Sequence, residues 1–91
     1  MAANKVDKVH YTSHYLKAYK NLPKQIQELQ DKKEQWFQNN SFDMRLKTHK
    51  LRGKYSDFYS YSVTYKWRVL FRFVKKDEVI FYDIGTHDIY K

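Results

Sequence analysis

The stretch KWRVLFRFVKKDEVIFYDIG, residues 66–85, decides the fold. Its first half alternates: Trp67, Val69, Phe71 and Phe73 fall on one side, and Lys66, Arg68, Leu70 and Arg72 on the other. A helix would spread these side chains around its axis, whereas a strand puts every second one on the same face. KKDE at 75–78 is polar and turn-like, and VIFYDIG at 79–85 resumes a run of strand formers. Two strands with so short a link form an antiparallel hairpin. FYSYSV at 58–63 also alternates, so a third strand extends the hairpin into a meander.

Register turns this pattern into geometry. A tight turn centred on Lys76 and Asp77 places Arg68 opposite Gly85 and Lys66 opposite His87. A tight turn near Thr64 and Tyr65 places Tyr61 opposite Arg68. Directly paired residues share a face. One face then carries Phe58, Trp67, Val69, Phe71, Phe73, Ile80, Tyr82 and Ile84, and is expected beneath helices. The other carries Tyr59, Tyr61, Lys66, Arg68, Arg72, Asp83 and His87, with Leu70, Val79 and Phe81 as apolar positions on it. A one-residue slip would exchange the faces. It would put Trp67 and Phe71 in water and Arg68 in the core.

Upstream, KVDKVHYT at 5–12 reads as a short first strand with Val6 and Val9 inward. Ser13 suits a helix N-cap, and Tyr15, Ala18, Tyr19 and Leu22 follow at helical spacing. Pro23 breaks this helix and sits in the first turn of a second, which carries Ile26, Leu29, Trp36 and Phe37 inward and ends at NNS, 39–41. The two form an αα-hairpin. In the irregular stretch at 42–57, Leu46 and Leu51 are expected to anchor to the core and Gly53 to mark a turn. The fold class is α+β in the order β-α-α-β-β-β. The αα-hairpin packs on one face of a small antiparallel-rich sheet, and residues 1–91 make a single domain.

Composition narrows the function. The chain carries 18 Lys and Arg against 10 Asp and Glu, a net charge of +8. The excess is local: residues 44–76 hold ten bases and one acid, net +9, while residues 77–91 hold one base and four acids, net −3. A concentrated basic block interleaved with aromatics (17 of the 91 residues) is a footprint for nucleic acid, cations holding phosphates and rings stacking on bases. A solvated face is the plainer reading of the same charges. Cysteine is absent, which fits a reducing cytoplasm and excludes disulfides and thiolate metal sites. No apolar run reaches membrane-spanning length, and no signal peptide is evident.

Elimination then works on the chemistry. His10 and His14 are four apart but straddle the expected strand–helix junction, and no carboxylate cluster offers a hard-cation site, so no metal or other cofactor is called for. Two glycines cannot build a phosphate loop, and Ser41, Ser56, Ser60 and Ser62 lie in no nucleophile context. Metal-free RNA cleavage remains. RNA brings its own nucleophile, the 2′-OH, so the protein needs a base, an acid and cations. His49, His87, Tyr90, Lys47, Lys50, Lys54 and Arg68 can supply these, and Arg52, Lys66, Arg72 and Tyr61 are further candidates for holding RNA. Each has a plain alternative: His49 as a loop histidine, Tyr90 as packing for the chain end, Arg68 as a solvated strand residue.

HKLRG at 49–53, WRVLFRF at 67–73 and IGTHDIY at 84–90 resemble the RelE/ParE superfamily of bacterial toxins, nearest its YafQ- and RelE-like mRNA interferases. The similarity runs from Ser13 to Tyr90. It implies ribosome-dependent cleavage of mRNA and neutralisation by a cognate antitoxin. His49 resembles the histidine of the YafQ-type DHPL motif, and His87 the YafQ-type catalytic histidine. Arg68 resembles the arginine of the RelE-type YRLVY strand, and Tyr90 the RelE C-terminal tyrosine or the YafQ aromatic. Lys50 and Lys54 lie in the region of the RelE lysines. Ser62 stands where YafQ-like chains have histidine, Lys66 where they have aspartate, and the HDIY tail is one residue shorter.

The resulting expectation is a cytoplasmic endoribonuclease toxin acting on mRNA at the ribosome. His87 is the first choice for proton transfer, with His49 or Tyr90 as its counterpart and Arg68 and nearby lysines on the phosphate. Which group is base and which acid stays open. The alternatives are a ParE-like protein that inhibits DNA gyrase without cutting, or a simple nucleic-acid-binding domain. The antitoxin is expected to be acidic where it meets this basic chain, with Leu70, Val79 and Phe81 as added contact surface.

Overall fold

A computed structural model describes residues 4–86. Five strands form one sheet in the order β1-β5-β4-β3-β2, where β1 is Lys8–Tyr11, β2 His49–Lys50, β3 Tyr59–Ser62, β4 Arg68–Lys75 and β5 Glu78–Gly85. Helices α1 (Ser13–Lys20) and α2 (Lys24–Asn39) form the expected hairpin. β1 runs parallel to β5, and the other neighbours are antiparallel. Among the described residues no helix is long and apolar enough to cross a membrane.

Local chemistry sets the ends of the elements. Thr12, not Ser13, caps α1: its hydroxyl accepts the backbone N–H of Tyr15 at 2.9 Å. Pro23 opens α2 as its N-cap, and its carbonyl accepts from Ile26 and Gln27. Gly53 takes the left-handed conformation, φ 68°, as a turn there requires. Leu46 is fully buried and Leu51 half-buried.

The β4–β5 register matches the sequence reading at one end, where Arg68 pairs with Gly85 and Val69 with Ile84. It then shifts. An extra residue on β5, Tyr82, separates the Leu70–Asp83 and Phe71–Phe81 pairs, and an extra residue on β4, Val74, restores the register before Lys75–Glu78. Between these two bulges the faces of β5 are the reverse of those expected, while Phe71 and Phe73 on β4 keep theirs. Val79 and Phe81 are buried beneath the helices, while Ile80 and Tyr82 are part-exposed. Phe81 lies edge-on to Phe37 at 5.4 Å, and Phe37 also meets Phe71 at 4.8 Å and Tyr61 at 5.0 Å. Burying one such side chain is worth about 1.5–3 kcal/mol. A bulge forfeits a ladder bond worth about 1 kcal/mol, so the inward phenylalanine wins.

The β3–β4 connection is one residue longer than expected. The Thr64 hydroxyl accepts the N–H groups of Lys66 and Trp67 at 3.2 and 3.0 Å, fixing a three-residue loop. Tyr61 therefore pairs with Val69 and Ser62 with Arg68. This turns Tyr59 and Tyr61 towards the helices, where Tyr61 is fully buried. Its hydroxyl donates to Gln30 Oε1 at 2.9 Å, and Gln30 Nε2 donates to the Tyr15 hydroxyl at 3.1 Å. Tyr61 is thus a core residue and no RNA contact. Phe58, expected in the core, instead meets Tyr82, 4.9 Å away. Leu70, Val79 and Phe81 are all buried and offer no apolar surface to an antitoxin.

Candidate functional site

The site is assembled by the turn that links α2 to β2. Asp43 opens a 3-10 turn, Met44–Leu46, by accepting the N–H of Arg45 at 2.9 Å. The same carboxylate takes Arg45 Nε at 3.0 Å and Nη2 at 2.8 Å, a side-on bidentate pair. Chiefly through the Arg45 side-chain bonds, then the backbone bond, its pKa is lowered to about 2. The guanidinium carbon of Arg45 sits 3.7 Å from the centre of the Trp36 ring, and Lys33 Nζ lies 5.1 Å from that ring. Burial, then the charges of Arg45 and Lys32, pushes the Lys33 ammonium below its ordinary pKa.

Lys47 ends the turn in the left-handed region, φ 54°. This swings the chain into β2, and the Thr48 hydroxyl donates to the Ser41 carbonyl at 2.6 Å to hold the swing. His49 then presents Nδ1 to the Lys47 carbonyl at 3.0 Å. A carbonyl only accepts, so Nδ1 carries the proton. In the neutral ring Nε2 therefore keeps its lone pair.

Pairing of β2 with β3 sets His49 opposite Ser60, and pairing of β3 with β4 sets Ser62 opposite Arg68. Paired residues share a face, and residues two apart do as well. His49, Ser62 and Arg68 therefore point the same way. Arg68 Nε and Nη2 donate to the Tyr65 carbonyl at 3.2 and 3.1 Å, which fixes the guanidinium while leaving it further donors. Among the described residues no carboxylate pairs with Arg68.

These groups line one cleft of about 430 Å³, formed by Lys33, Arg45, Lys47, His49, Ser62, Thr64, Tyr65 and Arg68. Four cations and a histidine face it, and among the described residues no carboxylate does. The other two described histidines outside it are occupied: His10 meets Glu78 at 2.6 Å and His14 meets Asp83 at 3.2 Å. The cleft can therefore hold an anion and offer it one proton acceptor.

Three of the residues expected from sequence meet here: His49, Arg68 and Lys47. Lys50 and Arg72 line a separate groove of about 350 Å³ with Asp57, Tyr59 and Phe73. Arg52, Lys54 and Lys66 are exposed outside the cleft, the last two over Tyr55 and Trp67 at 5.4 and 5.8 Å. His87 and Tyr90 lie outside the described residues. Sequence reasoning missed Lys33 and Arg45. Their signal was Trp36 between them, a ring with cations on either side. Ser62 carried a signal too, as the residue standing in place of the family's histidine.

Comparison with known proteins agrees with the fold. A family model described as the YafQ toxin of bacterial type II toxin–antitoxin systems matches residues 7–90. Among solved structures, YafQ from E. coli superposes with a TM-score of 0.75 at 17% identity, over 94% of this chain and 98% of its own. The toxin–antitoxin complex of DinJ with YafQ from E. coli gives 0.72 at 20% identity, over 92% and 94%. The toxin–antitoxin complex RelBE2 from Mycobacterium tuberculosis gives 0.74 at 16% identity, over 96% and 94%. No curated protein matches the chain.

Proposed function

The chain belongs to the YafQ family of toxins from bacterial type II toxin–antitoxin systems, and we propose that it is an endoribonuclease that cuts mRNA at the ribosome without a metal. The observation that carries this reading is the cleft: a histidine with one committed nitrogen, facing four cations and, among the described residues, no acid.

In the proposed reaction the 2′-oxygen of the RNA attacks the adjacent phosphorus. The O2′–P bond forms and the P–O5′ bond breaks, leaving a 2′,3′-cyclic phosphate and a 5′-hydroxyl. His49 Nε2 accepts the 2′-OH proton, the hydrogen bond to Lys47 holding the ring in the required tautomer. Arg68, already oriented by the Tyr65 carbonyl, places its remaining donors on the phosphate as negative charge grows. Lys47 adds charge beside it. A proton must reach the departing 5′-oxygen, and His87 and Tyr90 are the candidates. His87 follows two residues after Gly85, the residue paired with Arg68.

The DinJ–YafQ and RelBE2 structures are toxin–antitoxin complexes, and we extend that arrangement to this chain, with an antitoxin segment acidic enough to meet its +8 charge. A coupled transcription–translation reaction with the purified toxin tests the reading. New mRNA 5′ ends on ribosomes support it. Intact mRNA with a block in DNA supercoiling would instead identify a gyrase inhibitor.

A further inference from the structure

We propose that Lys33 and Arg45 form a second phosphate subsite, which grips the RNA strand beside the phosphate that is cut and so fixes its position. This rests on the reading of the cleft as an RNA site. The two residues lie on different elements, α2 and the 3-10 turn, yet both line the cleft and both pack on Trp36.

Three observations point to a ligand. The first is preorganisation. Arg45 is held flat on the Trp36 ring by its bidentate bond to Asp43, which engages Nε and Nη2 and leaves Nη1 uncommitted. A planar guanidinium fixed on one edge is ready to receive a phosphate on another. The second is the like charge gathered around Lys33. Lys33 is partly desolvated next to Arg45 and Lys32, and among the described residues no carboxylate bonds to it. Asp43 offsets the charge of Arg45 alone, and an anion seated between Lys33 and Arg45 would offset that of Lys33. The third is the division of the lining. His49, Ser62 and Arg68 share a sheet face and hold the reacting groups, while Lys33 and Arg45 enter from the helix and turn and touch none of them through any hydrogen bond. A polyribonucleotide carries one phosphate per residue, so a strand cut at the first place offers a neighbouring anion to the second. Lys33 and Arg45 are positioning residues, removed from the reacting atoms.

The test uses fully 2′-O-methylated oligonucleotides, which keep the phosphates and lack the nucleophile, titrated against the antitoxin-free toxin at low salt. A dinucleotide has one bridging phosphate and a pentanucleotide four. Lys33→Gln should weaken the pentanucleotide roughly tenfold and leave the dinucleotide unchanged. It should also reduce the salt slope of log K for the pentanucleotide by about 0.7, the value for one phosphate contact on a single strand. Lys33→Arg should restore both. Lys20→Gln, on α1 away from the cleft, makes the same change in net charge and should leave the slope unchanged. In cleavage assays on ribosomes Lys33→Gln should raise KM and keep kcat. Equal losses for Lys20→Gln, or an unaltered slope for Lys33→Gln, would overturn the subsite while leaving the nuclease reading intact. Binding of neither oligonucleotide by the wild type would overturn both.

Discussion

The Nδ1 of His49 lies 3.0 Å from the carbonyl oxygen of Lys47, a residue that is itself in left-handed backbone at φ 54°. The second fact explains the first: the left-handed turn is what aims the carbonyl at the imidazole. A lysine in this conformation is strained by roughly 1–2 kcal/mol. Replacing it by glycine removes that strain. Lys47→Gly should raise Tm by roughly 4–8 °C for each kcal/mol gained. It should also weaken RNA binding, because a cation facing the cleft is lost. Thermal denaturation and oligonucleotide titration on the same variant check both halves.

Arg68 and Lys are not equivalent at position 68. The guanidinium bonds the Tyr65 carbonyl through two nitrogens and still has donors for phosphate. Arg68→Lys should lower kcat about tenfold or more while the protein stays folded, and Arg68→Ala further still. Single-turnover cleavage on ribosomes and circular dichroism give the two readouts.

Tyr61 separates stability from activity. Its hydroxyl is buried against Gln30, so Tyr61→Phe strands the Gln30 carbonyl and should cost about 1–3 kcal/mol. Oligonucleotide affinity should not change, since the ring and its hydroxyl never reach the cleft. Urea denaturation together with a binding curve decides this.

Stability should fall with rising pH in one identifiable step. Burial raises the Glu34 pKa, and the hydrogen bond from the Tyr11 hydroxyl opposes the shift without cancelling it. The folded protein therefore keeps this proton to a higher pH than the unfolded chain. The stabilisation is complete below the unfolded pKa and is lost as pH rises through the raised folded one. Glu34→Gln cannot ionise and should be more stable than wild type at neutral pH, the difference closing by about pH 4. Denaturation midpoints across that range report it.

Much of the fold was legible in alternation and spacing. Val69, Phe71 and Ile84 face the helices as the period-two pattern requires, and Arg68 lies opposite Gly85 as a tight Lys76–Asp77 turn requires. The errors lie where one residue was inserted. VIFYDIG is apolar at nearly every position, so alternation gave no warning of the bulge at Tyr82 that turns Val79 and Phe81 inward. The Thr64 side chain lengthens the β3–β4 loop by bonding two backbone N–H groups, and this reversed Tyr61. The two-residue β2 is too short to show a period at all. In the candidate site, His49 and Arg68 were singled out by chemistry and resemblance and Lys47 by chemistry, and the structure brings the three to one cleft. Lys33 and Arg45 join them through a tertiary arrangement around Trp36 that no local pattern encodes.

In the proposed mechanism His49 takes a proton during RNA cleavage in this cleft. The most direct measurement is 5′-end mapping of ribosome-bound mRNA exposed to wild type and to His49→Ala, an exposed residue whose loss leaves the core untouched. Wild type should generate discrete new ends bearing 5′-hydroxyls, and His49→Ala should do so about 10²–10⁴-fold more slowly. Undiminished cleavage by His49→Ala, or mRNA left whole by the wild type, would contradict it.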